Sequence, residues 1–261
     1  MHLAIKTFTN FLTCSNAHFK GHILDPRLMG RTSTRHWWNR ELTPERQTAL
    51  HIMRIVMTTQ YKYRYVYAGI LRVCFRNPVM RRLAPLFYLG GDAAVICQHL
   101  SYLTDQGEKL NTGAYRSCLQ LQDFCDTIMD LFEHLVPLAE QATHGVPSRM
   151  ECYQALRKCR HIGPMIAMLA SGDMVFYGLV DSSNISLPLS KGLGMGAKKG
   201  LERLGVPMNQ LVKFHKLVLQ AMLEVGLKKD AMALNSIVFE HSLCKYYRYC
   251  KLPVRKSKIP Q

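Results

Sequence analysis

The 19 residues from Ile162 to Val180, IGPMIAMLASGDMVFYGLV, carry a single charge, Asp173. An apolar run of that length comes close to the ~20 residues that a membrane span needs. Gly163, Pro164, Gly172 and Gly178 punctuate it, however, and Asp173 sits well inside it. The run therefore reads as a helix buried in a protein core. The rest of the chain must supply a core large enough to surround it. With 261 residues and 48% hydrophobic composition the chain can do so, as one large domain or two modest ones.

Helical periodicity recurs along the chain, and only Tyr61 to Tyr67 alternates as a strand would. LTPERQTALHIMRIVMTT offers Thr43 as an N-cap, Pro44 at the first helical position and Glu45 in the first turn. Leu50, Ile52, Met53, Val56 and Met57 then form its buried face. NPVMRRLAPLFYL reads as a short helix broken by Pro85. A long amphipathic helix follows in TGAYRSCLQLQDFCDTIMDLFEHLVPL, and Ser148 caps another behind Pro147. Val180 to Gly200 is rich in Ser, Gly and Asn and reads as a linker. The expected fold is all-α: an N-terminal multi-helix domain over 1–180, a linker over 181–199, and a smaller C-terminal helical domain over 200–261 with a basic tail.

The formal charge is +16, from 34 Lys/Arg and 18 Asp/Glu. Basic balance of that size points to a polyanionic partner, nucleic acid or an anionic lipid surface. Residues 1–90 hold 14 Lys/Arg against 3 Asp/Glu, residues 91–180 hold 6 against 10, and residues 181–261 hold 14 against 5. A basic front, an acidic middle and a basic back suggest two binding surfaces, or subunits that stack acid on base.

The densest basic stretch is YKYRYVYAGILRVCFRNPVMRR, Tyr61 to Arg82, with six Lys/Arg and no acid. At 100° per residue from Lys62, Tyr63, Tyr67, Ile70, Leu71, Cys74 and Phe75 fall between about 80° and 220°. Lys62, Arg72 and Arg76, with Arg54 if the helix is continuous, fall between about 280° and 360°. A helix sorts apolar from basic residues where a strand would mix them. Pro78 is expected to end that helix, with Arg81 and Arg82 just beyond. With no acid nearby to pair these bases, an external phosphate is the expected counter-charge. The candidate polyanion-binding residues are therefore Arg54, Lys62, Arg64, Arg72, Arg76, Arg81 and Arg82, with Lys198, Lys199 and Arg203 as a second cluster.

Other chemistry is not signalled. GLGMGAKKG lacks the Gly-Lys-Ser/Thr ending of a phosphate loop, because Ala197 precedes Lys198 and Lys199 follows it. Cys118 and Cys125 with His134, and Cys152 and Cys159 with His161, are spaced more widely than zinc ligands usually are. Their i, i+7 separation suits buried thiols on one helix face. The acids are scattered and no histidine carries a nucleophile signature, so neither a catalytic site, a metal nor a cofactor is expected. Nine cysteines without a secretory signal favour a reducing compartment.

Two stretches resemble the matrix proteins of the influenza-type orthomyxoviruses. QHLSYLTDQGEKLNTGAYRSCLQLQDFCDTIMD (Gln98 to Asp130) is similar to the end of that family's N-terminal domain. There an apolar helix with a Tyr gives way to a Gly-containing turn and a Cys-bearing helix. LVLQAMLEVGLKKDAMALN (Leu217 to Asn235) is similar to its C-terminal domain, where a Gln-Ala-Met helix ends at Gly and a final helix follows. TPERQTALHIMR is similar to the start of its middle helices. The Cys and His residues are more spread out than in the family's compact cluster, and the basic residues run along Lys62 to Arg82. The resemblance implies a viral structural protein lining the inner face of the envelope, in contact with anionic lipid and with ribonucleoprotein or RNA. It implies self-association into a homo-oligomeric layer, and passage through host cytoplasm and nucleus. The alternative within the same charge pattern is a nucleocapsid-type protein that coats RNA.

Overall fold

The computed structural model describes residues 1–29, 31, 43–111, 120–142, 145–180, 193–234 and 236–253. Among them the regular elements are twelve α-helices and two short 3-10 turns, so the fold is all-α. The chain divides into two compact units: Pro44–Leu187, and Met1–Thr43 together with Pro188–Gln261.

The continuous unit holds seven helices: α2 (Pro44–Thr59), α3 (Arg64–Val73), α4 (Asn77–Tyr88), α5 (Ala93–Asp105), α6 (Leu121–Gln141), α7 (Arg149–Lys158) and α8 (Pro164–Phe176). Part of the capping chemistry read from the sequence is in place. Pro44 and Glu45 open α2, and Ser148 and Glu151 form a reciprocal capping box on α7. The apolar run becomes α8, whose residues Ile166 to Met174 are all buried.

At the middle of this unit lies α3, packed against α2, α6 and α8. Every residue from Tyr65 to Val73 is buried. Gly69 makes this possible, because a Cβ there would stand 2.9 Å from a Leu131 methyl of α6. The chain leaves helical form between α2 and α3, so Arg54 and Lys62 do not share one helix as a continuous reading expected. Pro78 also differs from expectation. It sits in the first turn of α4, where its missing N–H costs nothing, and it opens that helix instead of closing the previous one. Pro85 lies inside α4, on its exposed side, without breaking it.

The second unit combines α1 (His2–Phe19) with α9 (Met195–Leu204), α10 (Leu211–Glu224), α11 (Lys228–Ala233) and α12 (Ser236–Cys250). This grouping differs from the boundaries expected from sequence, which placed α1 in an N-terminal domain. The apolar face of α1 is aromatic, and its partners lie at the other end of the chain. Phe8 is fully buried with ring centroids of Phe214, Phe239 and Tyr246 within 5.6–5.8 Å. Phe11 packs on Tyr246 and Tyr249. The turn after α1 is held by Asp25, whose carboxylate accepts from Arg27 and from the Tyr249 hydroxyl. Burial alone would raise the Asp25 pKa, but the hydrogen bonds from Tyr249 and Arg27 outweigh it and hold the carboxyl below its usual range.

The range 181–199 expected as linker also differs at its end, because α9 begins at Met195. Gly196 and Gly200 stand one turn apart and let α9 press against α12. A Cβ on Gly200 would lie 2.3 Å from the Leu243 carbonyl oxygen, and one on Gly196 2.5 Å from the Cys244 sulfur. A stretch whose glycines read as flexibility is thus a helix whose glycines serve contact. Residues 181–192 and 254–261, the rest of the expected linker and most of the basic tail, lie outside the described residues.

Two outcomes follow from this packing. Gly200→Ala meets backbone, which cannot swing aside, and should cost about 1–3 kcal/mol in urea unfolding. The Asp25 contribution should be complete above the ordinary carboxyl value of 3.8 and disappear as pH falls through its lower folded value. Asp25→Asn should flatten that acid limb in a pH-resolved unfolding series.

Candidate polyanion-binding surfaces

The seven cations of the first sequence-predicted cluster do not form one ridge. The structure distributes them among three kinds of environment.

Arg72 is committed to the core. It is 4% exposed, and its guanidinium is hydrogen-bonded and ion-paired with Asp173 of α8. Asp173 is fully buried, and its other oxygen lies 2.7 Å from Nη1 of Arg46 on α2. Arg46 also donates to the Tyr177 hydroxyl at 3.3 Å and lies 4.5 Å from the Phe176 ring centroid. A third buried guanidinium, Arg149 of α7, has its pKa pushed down to about 10 by burial, against the pull of Asp173. Its Nη2 donates to the Met168 carbonyl. One carboxylate thus joins α2, α3 and α8 and acts electrostatically on α7. Arg72 is therefore removed from the binding set. The helical wheel set Arg72 apart from the apolar arc, but α3 is buried all round, with Tyr65 and Ala68 on the same side as Arg72.

Arg76 is also engaged. Its Nη1 lies 3.3 Å from Glu108 Oε2 and donates to the Lys109 carbonyl at 2.9 Å. The counter-charge expected from an outside phosphate is supplied within the chain, 32 residues away. Arg64 is half-buried with its guanidinium 4.5 Å from the Tyr61 ring, and Lys62 is exposed beside Tyr63.

Arg54, Arg81 and Arg82 are exposed on α2 and α4, which pack together. Arg81 lines a cleft between them with Gln47, Thr48 and His51. Among the described residues none of these three is ion-paired.

The second cluster keeps all its members and gains others. Lys198, Lys199 and Arg203 are exposed on α9. The glycine seam brings α12 alongside, and with it Tyr247, Arg248 and the following Lys251. Lys199 Nζ lies 5.7 Å and Lys251 Nζ 4.4 Å from the Tyr247 ring centroid. A hydrogen bond from Lys251, together with the charges of Lys199, Lys251 and Arg203, pulls the Tyr247 hydroxyl below its usual range. This is a positive surface built from two helices, with Glu202 as the one acid on α9. Tyr247, Arg248 and Lys251 were not singled out from sequence. The signal was present in KYYRYCK, where Tyr247 and Lys251 stand at i, i+4 on one helix face.

The charge follows the units sharply. Met1–Thr43 with Pro188–Gln261 hold 20 Lys/Arg against 6 Asp/Glu, net +14, whereas Pro44–Leu187 hold 14 against 12, net +2. The apparent basic front of the chain divides between the two units, and the half belonging to α1 and its turn joins the basic C-terminal helices.

Among the described residues no three His, Cys, Asp or Glu side chains gather as metal ligands would, and Cys118 lies outside those residues. No described helix is long and apolar enough to cross a membrane.

Removing the carboxylate at Asp173 leaves guanidinium groups in the core without their counter-ion. Asp173→Asn should cost about 3–5 kcal/mol, read as a shift of the urea midpoint. Arg81→Ala with Arg82→Ala should leave the midpoint within about 0.5 kcal/mol of the parent. Comparison with family models, with curated proteins and with solved structures finds no match to this chain.

Proposed function

We propose that this chain is a non-enzymatic structural protein of the viral matrix type. In this reading it is peripheral to an anionic membrane, contacts ribonucleoprotein or RNA, and self-associates. Its polyanion-binding work falls to the unit made of residues 1–43 and 188–261. The observation that carries the reading is the charge separation, net +14 on one helical unit against +2 on the other. A protein that only needed solubility would have no reason to place nearly all its excess charge on one of two bodies.

The supporting geometry is the α9–α12 surface, where Lys198, Lys199, Arg203, Arg248 and Lys251 are exposed together. Phosphate contacts from such side chains position a protein on a polyanion without reading sequence. The cations that remain exposed on α2 and α4, Arg54, Arg81 and Arg82, form a smaller second contact in this reading. Arg72 and Arg76 are left out of it.

The test is the salt dependence of binding to single-stranded RNA. Replacing Lys198, Lys199 and Arg203 by Ala should lower the log–log slope by about 2, since each phosphate contact on a single strand contributes about 0.7. An unchanged slope would remove the α9–α12 surface from the reading.

A further inference from the structure

One cleft of the basic unit is edged by exposed apolar side chains. Leu3 is 75% exposed on the first turn of α1, and Val225 is 61% exposed just past the end of α10. Both line one open cleft between these helices, with half-buried Ile5 and Leu227 beneath them. The backbone explains why Val225 is presented outward. The Gly226 N–H bonds to the Leu223 carbonyl and the Leu227 N–H to the Met222 carbonyl. Gly226 takes φ +77°, which only glycine adopts readily. This closes α10, turns Leu227 back onto the core, and leaves Val225 at the rim.

Cations lie near each of them in the chain, Lys6 one turn after Leu3 and Lys228 and Lys229 just after Val225. Lys6 and His2 line the same cleft. Lys228 and Lys229 follow immediately on α11 and are exposed. The acid of that helix, Asp230, accepts a hydrogen bond from Asn16 of α1 at 2.9 Å, which holds α11 beside α1. Glu224 is the acid at the cleft, and it accepts from Gln220. Thr9, Asn10 and Thr13 complete the α1 wall, so the lining is mixed apolar and polar.

We infer that the rim of this cleft is a membrane-contact wedge for an anionic phospholipid bilayer. Leu3 and Val225 enter the boundary between headgroups and acyl chains, while Lys6, Lys228 and Lys229 meet the anionic headgroups. The mixed lining suits that boundary better than it suits the hydrocarbon interior or a purely aqueous partner. Interfacial binding needs both parts, because its strength grows with buried apolar area and with attraction to anionic lipid. The inference rests on the proposed function and adds to it a site separate from the α9–α12 surface.

The test is co-flotation of the full chain with vesicles of phosphatidylserine and phosphatidylcholine, against phosphatidylcholine alone, at near-physiological salt. Leu3→Asn with Val225→Asn keeps every charge and should lower partitioning onto the anionic vesicles by about tenfold or more. Leu3→Trp should partition at least as well as the parent. The salt slope for RNA should stay the same in both, which separates this site from the α9–α12 surface and shows that the variants fold. Unchanged partitioning of the Asn pair would overturn the wedge in favour of charge alone. Absence of flotation by the parent, with RNA binding retained, would overturn it in favour of an RNA-coating protein.

Discussion

A carboxylate without water must find cations, and in this chain Asp173 finds arginines from helices far apart in sequence. Desolvating an acid in the middle of an apolar helix would cost several kcal/mol if nothing compensated. Arg46 and Arg72 compensate it directly, and Arg149 lies within its field. The geometry that satisfies Asp173 fixes where α2 and α3 stand around α8. Hydrophobic contacts could be made in several registers. An ion pair buried among Phe176, Tyr177 and Met168 restricts them to very few.

That interaction also accounts for what a linear reading could and could not see. The helices themselves were legible: apolar spacing marks α2 and α6, Ser148 and Glu151 mark the start of α7, and low charge marks α8 as interior. The site was less so. Arg72 is buried in a helix that is enclosed all round, and no acid lies near it in sequence. Its partner is 101 residues away, and no local pattern carries that distance. Arg76 is a milder case of the same kind, neutralised by Glu108 across a loop. A cation that looks free locally can therefore be fully committed, and only the tertiary structure distinguishes the two. The glycines of α9 show the reverse difficulty. In sequence they look like slack between domains. Beside the Leu243 carbonyl they are the only residues small enough to fit.

The units then divide the chemistry. The body built around Asp173 has nearly balanced charge and invests several of its arginines in its own interior or its own loops. The other body has an aromatic core centred on Phe8 and keeps most of its cations outside. Its two charged features differ in character. The α9–α12 face gathers lysines around a tyrosine, and the α1–α10 cleft mixes cations with exposed Leu3 and Val225. In the function proposed above, such a pairing sets a place for an extended polyanion apart from one for a surface with an apolar layer.

The discontinuity of the basic body has a consequence for synthesis. Residues 44–187 contain all the partners of their own core and can condense as soon as α8 has left the ribosome. Helix α1, made before them, has to wait, because Phe8 and Phe11 are enclosed only when α12 has been translated. Through most of translation its aromatic face has no permanent cover. Of the two units the more highly charged is thus the later to close, and its compact form arises only after α12 has been made.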